Sequence, residues 1–112
     1  MTVKRAAWIL VIALPAAEFI LAGASKFRPG SNWSRMFLAW GYPAWLRLVV
    51  GATEIVCGIG LVVSRVRLVA ACVLITIMAA AAATHLLHGE PQRVILNAAL
   101  SALLAILIWK SR

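Results

Sequence analysis

The sequence predicts an all-α, polytopic membrane protein: an antiparallel four-helix transmembrane bundle, with a short amphipathic interfacial helix between spans one and two. Three observations carry this. Of the 112 residues, 64% are hydrophobic and 12% charged, against about 45–50% and 25% in a soluble domain. The apolar residues gather into four runs, each suited to cross a hydrocarbon core of about 30 Å as a helix. The eleven Lys and Arg residues fall mainly at the ends of those runs, where they act as topology signals and headgroup contacts. No run alternates as a barrel strand would. Residues 1–112 therefore form a single four-span membrane domain.

The first run covers about Ala6 to Ala24, after the basic pair Lys4-Arg5. Ala22-Gly23-Ala24 resembles a signal-peptide cleavage site. Glu18 interrupts the apolar stretch, so the segment is read as a retained helix. Pro15 is expected to kink it by freeing the carbonyl of Val11. The connection that follows is the longest. Ser31 is a good N-cap, and Trp33, Met36, Phe37 and Trp40 then recur at i, i+3, i+4 and i+7, one apolar face of a short helix. Gly41 and Pro43 end it. This face is expected to lie in the membrane interface and dock a partner, or to plug the end of the bundle.

The second run covers about Ala44 to Val63, the third Leu68 to Leu87. The fourth covers Val94 to Trp109, extended by a turn from Pro91. Gly51, Gly58, Gly60 and the alanines at 79 to 83 are expected to let backbones approach closely. Cys57 and Cys72 fall inside spans without CxxC or zinc spacing and read as packing residues. Short turns at residues 64–67 and 88–93 make neighbouring spans antiparallel, so both termini share one side. Lys4, Arg5, Arg65, Arg67, Lys110 and Arg112 lie there, against Lys26, Arg28, Arg35, Arg47 and Arg93 on the other. The bias places both termini in the cytoplasm; the expected location is the bacterial inner membrane. Trp8 and Trp109 mark one interface, and Trp33, Trp40 and Trp45 the other.

The net charge of +8 would suggest nucleic acid in a soluble protein. No basic stripe with interleaved aromatics exists here, so nucleic acid is excluded as a partner. The expected partners are the bilayer and other membrane-protein subunits.

The functional handle is a set of polar residues inside the spans. A carboxylate in hydrocarbon costs about 2.5–3.5 kcal/mol on insertion scales, yet Glu18 and Glu54 both sit in apolar runs. Glu18 precedes Lys26 by eight positions, which puts it roughly 12 Å below the outer end of its helix. Glu54 follows Arg47 by seven, roughly 10 Å down. His85 lies near the outer end of the third span. Asn97 follows Arg93 by four, roughly 6 Å down. If all face inward they form one outer cluster, into which Lys26 and Arg47 bend their long stems. Glu18, Lys26, Arg47, Glu54, His85 and Asn97 are thus the candidate ligand-binding residues. Three readings stay open: hydrogen bonding between helices, a pocket for a polar headgroup such as a quinone or lipid, and a proton-relay pair.

His85, His88 and Glu90 carry two of the residue types a metal takes, but no further ligand run accompanies them and no metal site is assigned. There is no phosphate loop, hydrolase elbow or nucleophile–base motif. No catalytic residue and no intrinsic cofactor is therefore expected.

Leu21-Ala22-Gly23-Ala24-Ser25-Lys26-Phe27 is similar to the signature that closes the first span of the DoxX-like family. Trp40-Gly41-Tyr42-Pro43, Gly51-Ala52-Thr53-Glu54 and Gly58-Ile59-Gly60-Leu61 resemble that family's second-span stretch. The alanine-rich third span with Met78, and the short fourth, fit as well. The family consists of small four-helix membrane proteins, some of them subunits of quinone-linked sulfur-oxidising enzymes or redox-stress complexes, with distant relatives acting as chaperones or receptors. By position the resemblance covers Gly23, Lys26, Gly41, Pro43, Gly51, Glu54 and Gly58, and implies a Lys26–Glu54 pair. It implies an accessory or scaffolding subunit of a membrane redox complex, with bound quinone or lipid as candidate ligand. A quinone-binding oxidoreductase component and a small transporter are the alternatives.

Overall fold

The computed structural model describes residues 2–111. Its elements in chain order are α1 (Val3–Ser25), α2 (Asn32–Ala39), α3 (Ala44–Val62), α4 (Arg67–Leu87), a 3₁₀ turn (Pro91–Arg93) and α5 (Val94–Ser111). Four of the helices, α1, α3, α4 and α5, are long and apolar enough to cross a membrane. Each packs on two neighbours around the ring α1–α3–α4–α5. The bundle is 46 Å long and 22–24 Å across. Its outer surface stays apolar on every span: Leu21, Val56, Val69 and Ile95 are each at least 66% exposed. In water such a surface would drive aggregation; against lipid tails it is the stable arrangement.

The helix ends follow local chemistry. Thr2 caps α1, its hydroxyl accepting from the Arg5 amide. Ser31 caps α2 through the Ser34 amide, which satisfies a donor that the first turn leaves free. Pro15 does not interrupt α1, which runs as one helix through it. Gly41 and Gly89 take positive φ, 80° and 70°, at the ends of α2 and α4. Each makes the paired hydrogen bonds of a Schellman motif. Tyr42 N–H donates to the Phe37 carbonyl and Gly41 N–H to Leu38; Glu90 N–H donates to His85 and Gly89 N–H to Leu86. Both motifs fold the next residue back over its own helix.

The core is uneven along the bundle axis. Leu61, Ala71, Leu74, Leu104 and Leu107 are fully buried and fill the half nearest the termini. Toward the α2 end the wall of α4 is built from small residues. The alanine run was expected to draw helices together. Two of its residues, Ala80 and Ala81, border an open cavity. Cys57 packs on the core, whereas Cys72 lies exposed on the outer surface.

Candidate ligand-binding cavity

Small residues set the register of α1 against α3. A Cβ on Gly23 would stand 2.6 Å from the Gly51 carbonyl oxygen, and one on Gly58 3.1 Å from that of Ala16. Gly51, Glu54 and Gly58 are all buried and lie three and four positions apart, so they share the face turned to α1. The glycines let the two backbones close. Glu54, between them, then comes within 2.6 Å of Lys26 Nζ at the end of α1, with side-chain exposures of 3% and 4%. Two charges removed from water are tolerable only when paired this closely. The Lys26 ammonium also sits 3.8 Å above the centre of the Trp33 ring, where the ring's negative face attracts it. Glu54 Oε1 is fully buried, and the Lys26 ammonium is its partner.

Arg47 does not join this pair, contrary to the sequence expectation. Its guanidinium donates to the carbonyl of Lys26, and it takes no part in the cavity wall. A free helical carbonyl beside the negative end of the α1 dipole is a better partner than a carboxylate already bound to lysine. Arg67 does the same for α3, donating to the carbonyls of Leu61 at 2.6 Å and Val62 at 3.4 Å.

Across the cavity, the Gly89 turn returns Glu90 to the helix it has just left. Glu90 Oε1 lies 3.0 Å from His85 Nδ1 and 3.9 Å from Arg93 Nε. An ionised carboxylate only accepts, so Nδ1 carries the hydrogen. That hydrogen bond, and then the charge of Arg93, hold the Glu90 carboxyl below its ordinary value of 4.5. Trp40 packs at 5.5 Å from the His85 ring, at 5.7 Å from Tyr42 and at 5.4 Å from Phe37. Edge-to-face and tilted contacts at these spacings are favourable for aromatic pairs.

The result is a cavity of about 260 Å³ at the α2 end. Glu18, Lys26, Glu54, His85 and Asn97 all line it, whereas Arg47 does not. The α2 face expected to dock a partner is turned onto the chain's own bundle: Trp33, Phe37 and Trp40 form part of the cavity wall, and only Met36, half-buried, stands outside it. Tyr42 and Arg93 line the cavity too, and Glu90 fixes His85 at its edge; the sequence reading set Glu90 beside His85 only as a metal-type residue and placed Tyr42 and Arg93 in no site. Glycine just past the end of α4 is the signal that could have found Glu90. Asn97 is 8% exposed. Its amide makes no hydrogen bond to any described residue, so its polar end is free for whatever enters.

The family model described as the DoxX-like family matches residues 10–107. The chain belongs to the DoxX-like family. No curated protein and no solved structure matches it. The seven positions that resemble the DoxX-like signature fall into place on this geometry. Gly23, Gly51 and Gly58 close the α1–α3 seam, Lys26 and Glu54 form the ion pair at its end, Gly41 reverses the chain after α2, and Pro43 caps α3. Glu18 and Asn97, which line the cavity as well, are not among those seven positions.

Proposed function

We propose that this protein is a non-catalytic accessory subunit of a membrane-embedded redox complex, and that it holds a quinone-type headgroup in the cavity at the α2 end. One observation carries the reading: a cavity between spans that combines aromatic and aliphatic walls with a few converging polar groups. Ligand sites have this make-up, with volumes of about 300–1,000 Å³. The volume here, about 260 Å³, suits a headgroup whose tail stays in the surrounding lipid. Trp33, Phe37 and Trp40 give a planar ring an aromatic wall, and Asn97 offers both a donor and an acceptor. Lys26 and Glu54 hold the first wall rigid. The proposed orientation has both termini in the cytoplasm of a bacterial inner membrane, with the cavity toward the outer leaflet.

Extraction into lipid nanodiscs without detergent exchange, followed by solvent extraction and mass spectrometry, tests the reading. It expects co-purifying quinone at a fixed ratio to protein, sharply reduced in Ala81→Phe, which fills the cavity, and cross-linked subunits in the native membrane. Wild-type protein free of quinone, with no cross-linked partner, would falsify it.

A further inference from the structure

Three acidic side chains serve eleven basic ones in this chain, and each of the three has its place. Glu54 holds Lys26, Glu90 faces His85 and Arg93, and Glu18 lines the cavity between the spans. None is left for Arg28 and Arg35. These two arginines line one open cleft of about 380 Å³ where the chain passes from α1 to α2. The cleft shares a single wall residue, Trp33, with the cavity described above. Neither guanidinium forms an ion pair with any described residue. Neither donates a hydrogen bond to one. Ser31 and Asn32 line the same cleft. The Ser31 oxygen accepts from the Ser34 amide, which leaves its own proton to donate. The Asn32 side-chain amide has no partner among the described residues. Two cations and two neutral donors thus border one space that no carboxylate enters.

We infer that this cleft binds the phosphate group of an anionic phospholipid, held between Arg28 and Arg35. It is a second site, independent of the quinone reading. A guanidinium presents its N–H groups in a fork that matches phosphate oxygens, and the bond is charge-assisted. Two such forks at one cleft, without an internal counterion, suit an anion from outside the chain. Inorganic phosphate offers the same oxygens, but two features favour the lipid. The cleft begins at Ser25, the last residue of the α1 span, which is headgroup depth for a helix of that length. An apolar stripe also leads up to it. Leu10, Leu14 and Leu21 are 55%, 58% and 68% exposed. They recur at spacings of four and seven, and Ser25 follows Leu21 by four more, so all share one face of α1. An acyl chain lying along this stripe brings its phosphate to the cleft. A zwitterionic headgroup fits less well, because its own cation is repelled by the two guanidinia.

The test is calorimetric titration of the full chain in neutral detergent with three probes: short-chain phosphatidylglycerol, short-chain phosphatidylcholine and inorganic phosphate. The wild type is expected to bind phosphatidylglycerol roughly tenfold more tightly than either of the others, as two arginines beside an anionic headgroup allow. The double variant Arg28→Gln, Arg35→Gln is expected to lose that preference. Both side chains are exposed, so the core is untouched, and circular dichroism confirms the fold. A second double variant, Arg5→Gln with Arg65→Gln, removes the same charge from the opposite end of the bundle and is expected to keep the preference. Equal binding of the two lipids by the wild type overturns the proposal, and so does an undiminished preference in the Arg28, Arg35 variant. An equal loss in both double variants reduces the effect to general surface charge and overturns the site. Inorganic phosphate binding as tightly as phosphatidylglycerol overturns the lipid assignment in favour of a free anion.

Discussion

Gly23 and Gly51 meet backbone to backbone: a Cβ on Gly23 would lie 2.6 Å from the Gly51 carbonyl oxygen, and one on Gly51 2.9 Å from that of Gly23. No side-chain rotation relieves either clash, since the obstacle is main chain. Gly51→Val should therefore push α3 off α1, at about 1–3 kcal/mol of stability. The same displacement draws Glu54 away from Lys26. Thermal unfolding in detergent should show the loss. Gly89→Ala, with open space around it, should be milder, since only its φ of 70° is strained.

The Lys26–Glu54 pair is expected to behave as a unit. Breaking a buried pair from one side leaves a charge without a counterion and costs about 3–5 kcal/mol. Lys26→Met and Glu54→Gln should each reach that range. The double variant should be more stable than the sum of the two losses implies, because no uncompensated charge remains. A double-mutant cycle by chemical denaturation measures the coupling; additive losses would refute it.

Arg47 and the cavity should separate cleanly. Arg47→Met removes the donor to the Lys26 carbonyl, and hydrogen bonds to charged groups contribute about 1.5–3 kcal/mol. Stability should fall by that order while quinone content per folded protein stays at the wild-type level. A loss of quinone without a loss of stability would return Arg47 to the ligand site.

Acid should release the turn after α4. Folding holds the Glu90 carboxyl below 4.5, chiefly through His85. The contribution is complete above the unfolded value and disappears as pH falls through the lower, folded one. Trp40 lies 5.5 Å from the His85 ring, so its fluorescence should show a step below about pH 4.5. The change should be absent in Glu90→Gln.

Much of this architecture was legible because it is written locally. Hydropathy and helical period place the spans within a few residues of their observed ends. Ser31 and Gly41 announce the limits of α2 by the chemistry of helix termini. Glu18, Lys26, Glu54, His85 and Asn97 converge because antiparallel helices with known ends fix the depth of every residue. Depth does not fix partner choice. Arg47 sits above Glu54 on one helix, but its competing acceptor, the Lys26 carbonyl, belongs to another. Arg93 and Glu90 enter the site through a reversal after α4, which a reading by helix depth leaves out. The alanine run shows the same limit: small residues permit either contact or space, and the neighbouring helices decide which.

The arginine ties also run in the order of the chain. The last turn of α1 is completed by Arg47 from the next span, and that of α3 by Arg67 at the start of α4. The end of α4 is finished by its own sequel, with Glu90 N–H on the His85 carbonyl and His88 Nδ1 2.9 Å from that of Thr84. Each of these three helices is thus secured by residues synthesised soon after it, and none of these ties waits for a span made two steps later. A nascent chain entering the bilayer from its N-terminus meets its needs in the order in which they arise.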